Sequence, residues 1–76
     1  MNEWTAVAVA LAIGLPALGG ALGQGRIGAA AVESIGRNPA ASGRVLPPMM
    51  IALALVESLV MFGMLIAWQL MGRLEA

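Results

Sequence analysis

The chain has 76 residues, 61% of them hydrophobic, with four basic and four acidic side chains and neither histidine nor cysteine. A soluble domain this short hides only about 60% of its unfolded surface, and without Cys or His it has no disulfide framework or zinc site to compensate. The apolar share exceeds the roughly 45–50% of ordinary globular domains, and balanced charge with no basic run excludes a nucleic-acid footprint. The composition suits a lipid bilayer.

The first predicted element is a membrane helix over residues 3–36. Its charge-free core, Trp4 to Gly25, is about 22 residues long, and a crossing takes about 20. A cleaved secretory signal is disfavoured, because Met1-Asn2-Glu3-Trp4 lacks a positive leader and the apolar run is about twice a signal's core. Small residues alternate along this helix. At roughly 100° per residue, Ala17, Ala21 and Gly25 form one stripe, and Gly19 and Gly23 form another on about the opposite side. One such stripe admits one close neighbour. Two opposed stripes admit neighbours on both sides, which a closed ring of identical copies requires.

A connection over 37–44 follows. Asn38-Pro39 and Ser42-Gly43 are turn signals, and Asn38 is biased away from helix by the proline after it. Arg26, Arg37 and Arg44 lie in or beside the connection, whereas Glu3, Arg73 and Glu75 lie at the ends. Positive charge favours the cytoplasm, so the loop is expected there and both termini outside. Trp4 and Trp68 are then expected together at the outer interface. Glu33, near the loop, reads as an interface carboxylate pairing with Arg37 at i,i+4.

The second predicted membrane helix covers 45–74, with Pro47 and Pro48 placed in its first turn, where amide hydrogens have no partner to lose. Glu57 is the only charge between Val45 and Met71 and lies roughly 16 Å from either edge of the span. An acid at that depth costs about 2.5–3.5 kcal/mol to insert, so it points to a task, and ion transport is the first candidate. Counted from the middle of the loop, Gln24 and Glu57 stand about 16 or 17 residues away on the two arms, which puts them at one depth in an antiparallel hairpin. The Gln24 amide can donate to an ionised Glu57 or accept from a protonated one. Ser58 adds a hydroxyl that could join the site or bond back to its own helix.

These residues resemble the membrane-rotor proteolipid, or c-subunit, of F-type ATP synthases over nearly the whole chain. The resemblance rests on Gly19-x-Ala21-x-Gly23-Gln24-Gly25, on Ala31-Val32-Glu33-Ser34-Ile35-Gly36-Arg37-Asn38-Pro39 and on Leu55-Val56-Glu57-Ser58. Asn38 departs from the Gln common in the family's loop. The resemblance implies a homo-oligomeric ring of two-helix transmembrane hairpins, first helices inside and Glu-bearing helices outside, in a bacterial inner membrane. It implies that Glu57 is neutral or ion-loaded against lipid and exchanges its ion near an arginine of the stator's a-subunit. Arg37, Asn38 and Pro39 would meet the gamma and epsilon subunits of the central stalk, and no catalytic residue or cofactor would reside on this chain. Low dielectric favours a neutral carboxyl and a nearby cation favours the charged one, so alternating surroundings can load and unload it.

For the transported ion the resemblance offers two outcomes. Sodium-carrying members hold the ion with a Gln, the Glu, a following Ser and a backbone carbonyl, matched here by Gln24, Glu57, Ser58 and the carbonyl of Leu55. Leu59 and Phe62, however, stand where that pattern has a hydroxyl residue and a Tyr. With two polar groups missing, a hard cation is short of oxygen ligands, and protons are the expected cargo, with sodium the alternative. Two other classes fit the bare hairpin. A non-rotary oligomeric channel would conduct ions by itself, and a purely structural hairpin would tolerate loss of the Glu57 charge.

Overall fold

A computed structural model describes residues 2–75, with side chains described for residues 2–73. Met1 of the leader and the Glu75 side chain, used in the readings above, lie outside the described residues. Two long helices, α1 (Glu3–Arg37) and α2 (Ser42–Glu75), run antiparallel and are joined by a single 3₁₀ turn, Pro39–Ala41. The hairpin measures 56 × 16 × 8 Å. Both helices are long and apolar enough to cross a membrane, and little of either is buried within the hairpin, unlike the core helix of a soluble protein.

Local chemistry sets the ends. Asn2 caps α1 by accepting the Thr5 amide on Oδ1 at 2.8 Å, and Glu3 in the first turn complements the helix dipole. At the far end Asn38 adopts φ −144°, ψ 88°, the extended backbone imposed by a following proline, while its amide still donates to the Ser34 carbonyl at 3.0 Å. The Ala41 amide then bonds to the Asn38 carbonyl at 2.9 Å, and the Ser42 amide bonds to Pro39. Glu33 and Arg37 form the i,i+4 ion pair on the exposed surface.

The connection is shorter than the expected 37–44. α1 continues through Arg37, and α2 begins at Ser42 instead of Val45. Ser42-Gly43 makes no turn because Gly43 does not take up a positive φ and continues the helix. Pro47 and Pro48 consequently fall in the second turn of α2, past the free first-turn amides. Their missing N–H groups leave the carbonyls of Gly43 and Arg44 without the usual i+4 donor.

The seam between the helices is built from small residues. Among the described residues the buried ones are Gly20 and Ala31 of α1 and Gly63 and Ala67 of α2. A methyl group on Gly20 would stand 2.5 Å from Val60 Cγ2 and 3.5 Å from Val56 Cγ1. Large side chains point outward instead, including Leu11, Leu18, Leu22, Leu55 and Phe62. With no large side chain buried among the described residues, the hairpin's apolar surface must be covered by lipid or by further copies.

Residues facing each other across the seam are placed almost symmetrically about Ala40. Trp68 therefore lies beside Val9 and Ile13. Trp4 is some eight residues farther along α1, about 12 Å higher at 1.5 Å per residue. The two rings share one end of the hairpin but not one level, a correction to the expectation above.

Candidate functional site

Gln24 and Glu57 meet in the middle of the hairpin. Gln24 Nε2 donates to Glu57 Oε2 at 2.9 Å. The α1 residues along the seam include Ile13, Pro16, Gly20, Gln24, Ile27 and Ala31, spaced three or four apart as one helical face requires. Gln24 sits toward one edge of that face, and Glu57 sits toward the same edge of α2. Their bond consequently closes over the flank of the hairpin, with Gln24 half-buried and Glu57 exposed.

A shallow groove opens beside the carboxylate, lined by Ala54, Glu57, Ser58, Met61, Phe62 and Leu65. Its wall is apolar apart from Glu57 and Ser58. The hydroxyl of Ser58 is directed into its own helix and donates to the Ala54 carbonyl at 3.0 Å. Of the residues expected at the ion site, the hairpin therefore joins Gln24 to Glu57 and leaves Ser58 apart. The Leu55 side chain is exposed on a different side of α2, about 200° away from Glu57 at 100° per residue; the group expected at the site is its backbone carbonyl. Within one hairpin, the Ser58 hydroxyl bonds to its own helix and does not meet Gln24.

The two stripes of α1 flank the seam. A methyl group on Gly19, Gly23 or Gly25 would meet nothing within 4 Å, and Ala17 and Ala21 are exposed. Ala17 and Ala21 lie on the flank that carries Gln24 and Glu57, whereas Gly19 and Gly23 lie on the other. These surfaces are free in a single hairpin and suit close helix neighbours. At the tip, Arg37, Asn38 and Pro39 are all exposed.

The sequence patterns did not disclose the pairing of Pro16 with Gly63. Pro16 lies inside α1, so the Ala12 carbonyl has no i+4 amide. Gly63 lies against this break: a methyl group there would stand 2.7 Å from Pro16 Cγ and 3.0 Å from the Ala12 oxygen. The signal was available, because Pro16 and Gly63 obey the same symmetry about the turn as Gln24 and Glu57.

The family model for the ATP synthase c-subunit matches residues 7–70. The chain is 48% identical over 68 residues to the ATP synthase c-subunit of Chloroflexus aurantiacus, covering 90% of each. It is 41% identical over 71 residues to that of Gloeobacter violaceus, covering 88% of this chain and 87% of the relative. For the c-subunit of Campylobacter lari the identity is 41% over 71 residues, but the match spans only 66% of the relative's length.

Proposed function

The chain belongs to the ATP synthase c-subunit family, and from that membership we propose that it carries protons on Glu57 as one hairpin of the membrane rotor. Family membership makes it a ring-forming component of the F-type enzyme in the membrane. The proton, its carrier group and the contacts with other subunits are the parts proposed.

The observation that carries the reading is the Gln24–Glu57 bond, placed at mid-helix on an otherwise apolar flank. Among the described residues a carboxylate there has one amide donor and no second charge beside it. It can be neutralised by a single proton without assembling a cage of oxygens, whereas sodium prefers several hard ligands. Leu59 and Phe62, which stand where the sodium alternative has a hydroxyl residue and a Tyr, offer no oxygen from their side chains.

In operation, α1 lies on the inside of the ring and α2 on the outside. Glu57 takes up a proton, travels neutral past lipid, and gives the proton up where a cation of the stator's a-subunit faces it. Each charge moved across 100 mV supplies about 2.3 kcal/mol, which the ring transmits as torque. Arg37, Asn38 and Pro39, exposed at the tip, would meet the gamma and epsilon subunits of the central stalk. The loop side is cytoplasmic, by the distribution of arginine, in a bacterial inner membrane.

Glu57→Gln tests the reading in the whole enzyme. Such a ring should assemble yet drive no ATP synthesis, and Glu57→Asp should keep part of the rate. Full synthesis by the Gln variant would refute the proposal and favour a structural hairpin.

A further inference from the structure

We propose that Met61 is an oxidation site through which hydroperoxides slow the rotor, its sulfoxide oxygen accepting a hydrogen bond from protonated Glu57 and delaying release of the proton. The inference rests on the reading of Glu57 as the proton carrier.

Methionine is unevenly placed around α2. Met50, Met61, Met64 and Met71, four of the five described methionines, lie within about 40° of Glu57 at 100° per residue, whereas Met49 falls on the seam side. Their heights differ. Met61 stands one turn beyond Glu57, about 6 Å along the axis, while Met50 and Met64 stand two turns away in opposite directions, about 10 Å, and Met71 is farther still. Side chains four apart on a helix have Cβ atoms about 5–6 Å from each other, and Met61 lines the same apolar groove as the carboxylate. Met64 borders that groove too, but on the side of α1, where it also lines a cleft with Val9 and Ile13.

Met61 is open to small oxidants. Half of its surface is exposed in the hairpin. The step of about 40° from Glu57 carries it toward Ala54 and Ser58, both exposed, on the side of α2 turned away from α1. With α2 as the outer helix, neighbouring hairpins leave that side uncovered. A thioether needs no ionisation to react, so an apolar setting does not protect it. Its sulfur attacks one oxygen of the hydroperoxide, an S–O bond forms as the O–O bond breaks, and the departing oxygen takes the proton to give water or an alcohol. Sulfur is oxidised by two electrons and the hydroperoxide is reduced by two, and sulfoxide reductases reverse the change.

The product changes what Glu57 meets. A thioether sulfur is a weak acceptor, whereas the sulfoxide is polar and carries a strong acceptor oxygen with no proton to give. Protonated Glu57 can donate its O–H to that oxygen. The carboxylate has nothing to donate and faces a partial negative charge instead. Oxidation therefore favours the loaded carboxyl over the unloaded one and slows discharge at the stator's cation. Every copy passes the stator in each revolution, so one oxidised hairpin slows the whole ring. A sulfoxide at Met50 or Met64 stands a further turn away and leaves Glu57 to its Gln24 partner.

The test treats the whole enzyme in vesicles with hydrogen peroxide, then measures ATP synthesis and, by mass spectrometry of the ring, the sulfoxide at each methionine. ATP hydrolysis by the catalytic part detached from the membrane reports damage elsewhere. Native synthesis should fall about fivefold, the worth of one neutral hydrogen bond, as sulfoxide accumulates at Met61, with hydrolysis preserved. Met61→Leu, compared with its own untreated rate, should keep its synthesis through the same dose, whereas Met50→Leu should lose it as the native enzyme does. Equal loss in the Met61→Leu enzyme, or full native synthesis with Met61 oxidised, would overturn the inference. If Met61→Leu forms no ring, the native enzyme decides: loss that follows Met50 or Met64 instead of Met61 rejects the site. Full synthesis by Glu57→Gln would instead overturn the reading on which the inference rests.

Discussion

Gly63 lies directly against Pro16, where α1 has lost a backbone hydrogen bond and the Ala12 carbonyl is left facing α2. With no side chain on Gly63, the second helix closes over that break. Gly20 performs the matching service on α1, opposite Val60. Gly63→Ala would push a methyl group into backbone and ring atoms that cannot rotate away. Overpacking of this kind costs about 1–3 kcal/mol. The expected outcome is a hairpin with reduced helix–helix association and a ring that dissociates at lower temperature, as read by gel electrophoresis of heated samples.

Gly19 and Gly23 predict a different pattern. A methyl group at either meets nothing within the hairpin. Gly19→Ala and Gly23→Ala should therefore insert and fold normally as hairpins but weaken contacts between copies. Crosslinking of neighbouring hairpins, compared with crosslinking of α1 to α2 inside one hairpin, separates the two effects. If the within-hairpin crosslink is the one lost, the assignment of these glycines to the flank is wrong.

Gln24→Leu removes the one side-chain donor that the described residues give Glu57. A hydrogen bond to a charged group contributes about 1.5–3 kcal/mol, so ATP synthesis at fixed driving force should fall by about tenfold or more with the ring intact. An unchanged rate would detach Gln24 from the transport site.

Ser58→Ala should leave proton-driven synthesis within about twofold of the native rate, because its hydroxyl serves the backbone of its own helix and that bond competes with other partners. A loss approaching that of the Glu57 variant would instead favour the sodium site, in which Ser58 is a ligand.

The sequence discloses whatever depends on counting along a regular helix. Glu57 and Gln24 could be brought to one depth from the turn because each residue adds the same rise, and the structure bonds them. The flanking stripes were equally readable, since 100° steps place Ala17 and Gly19 on different sides. What counting along one helix leaves open is rotational phase against the partner, and that decides the rest. It puts Gly20 and Gly63 in the seam and turns Ser58 away from Gln24. The turn was less legible. Ser42-Gly43 reads as a loop in isolation, yet nothing in the chain forces Gly43 out of helical backbone, so α2 starts earlier and carries Pro47 and Pro48 into its second turn. The tryptophans were misplaced for a related reason: both belong near one interface by type, but only the symmetry about Ala40 fixes their heights.

The most direct measurement is carbodiimide modification of the purified ring, with the labelled residue identified by mass spectrometry, in the absence and presence of sodium. A proton-carrying rotor predicts covalent labelling of Glu57 at an unchanged rate when sodium is added, with synthesis abolished as the label accumulates. Protection of Glu57 by sodium, or full labelling with synthesis intact, would contradict it.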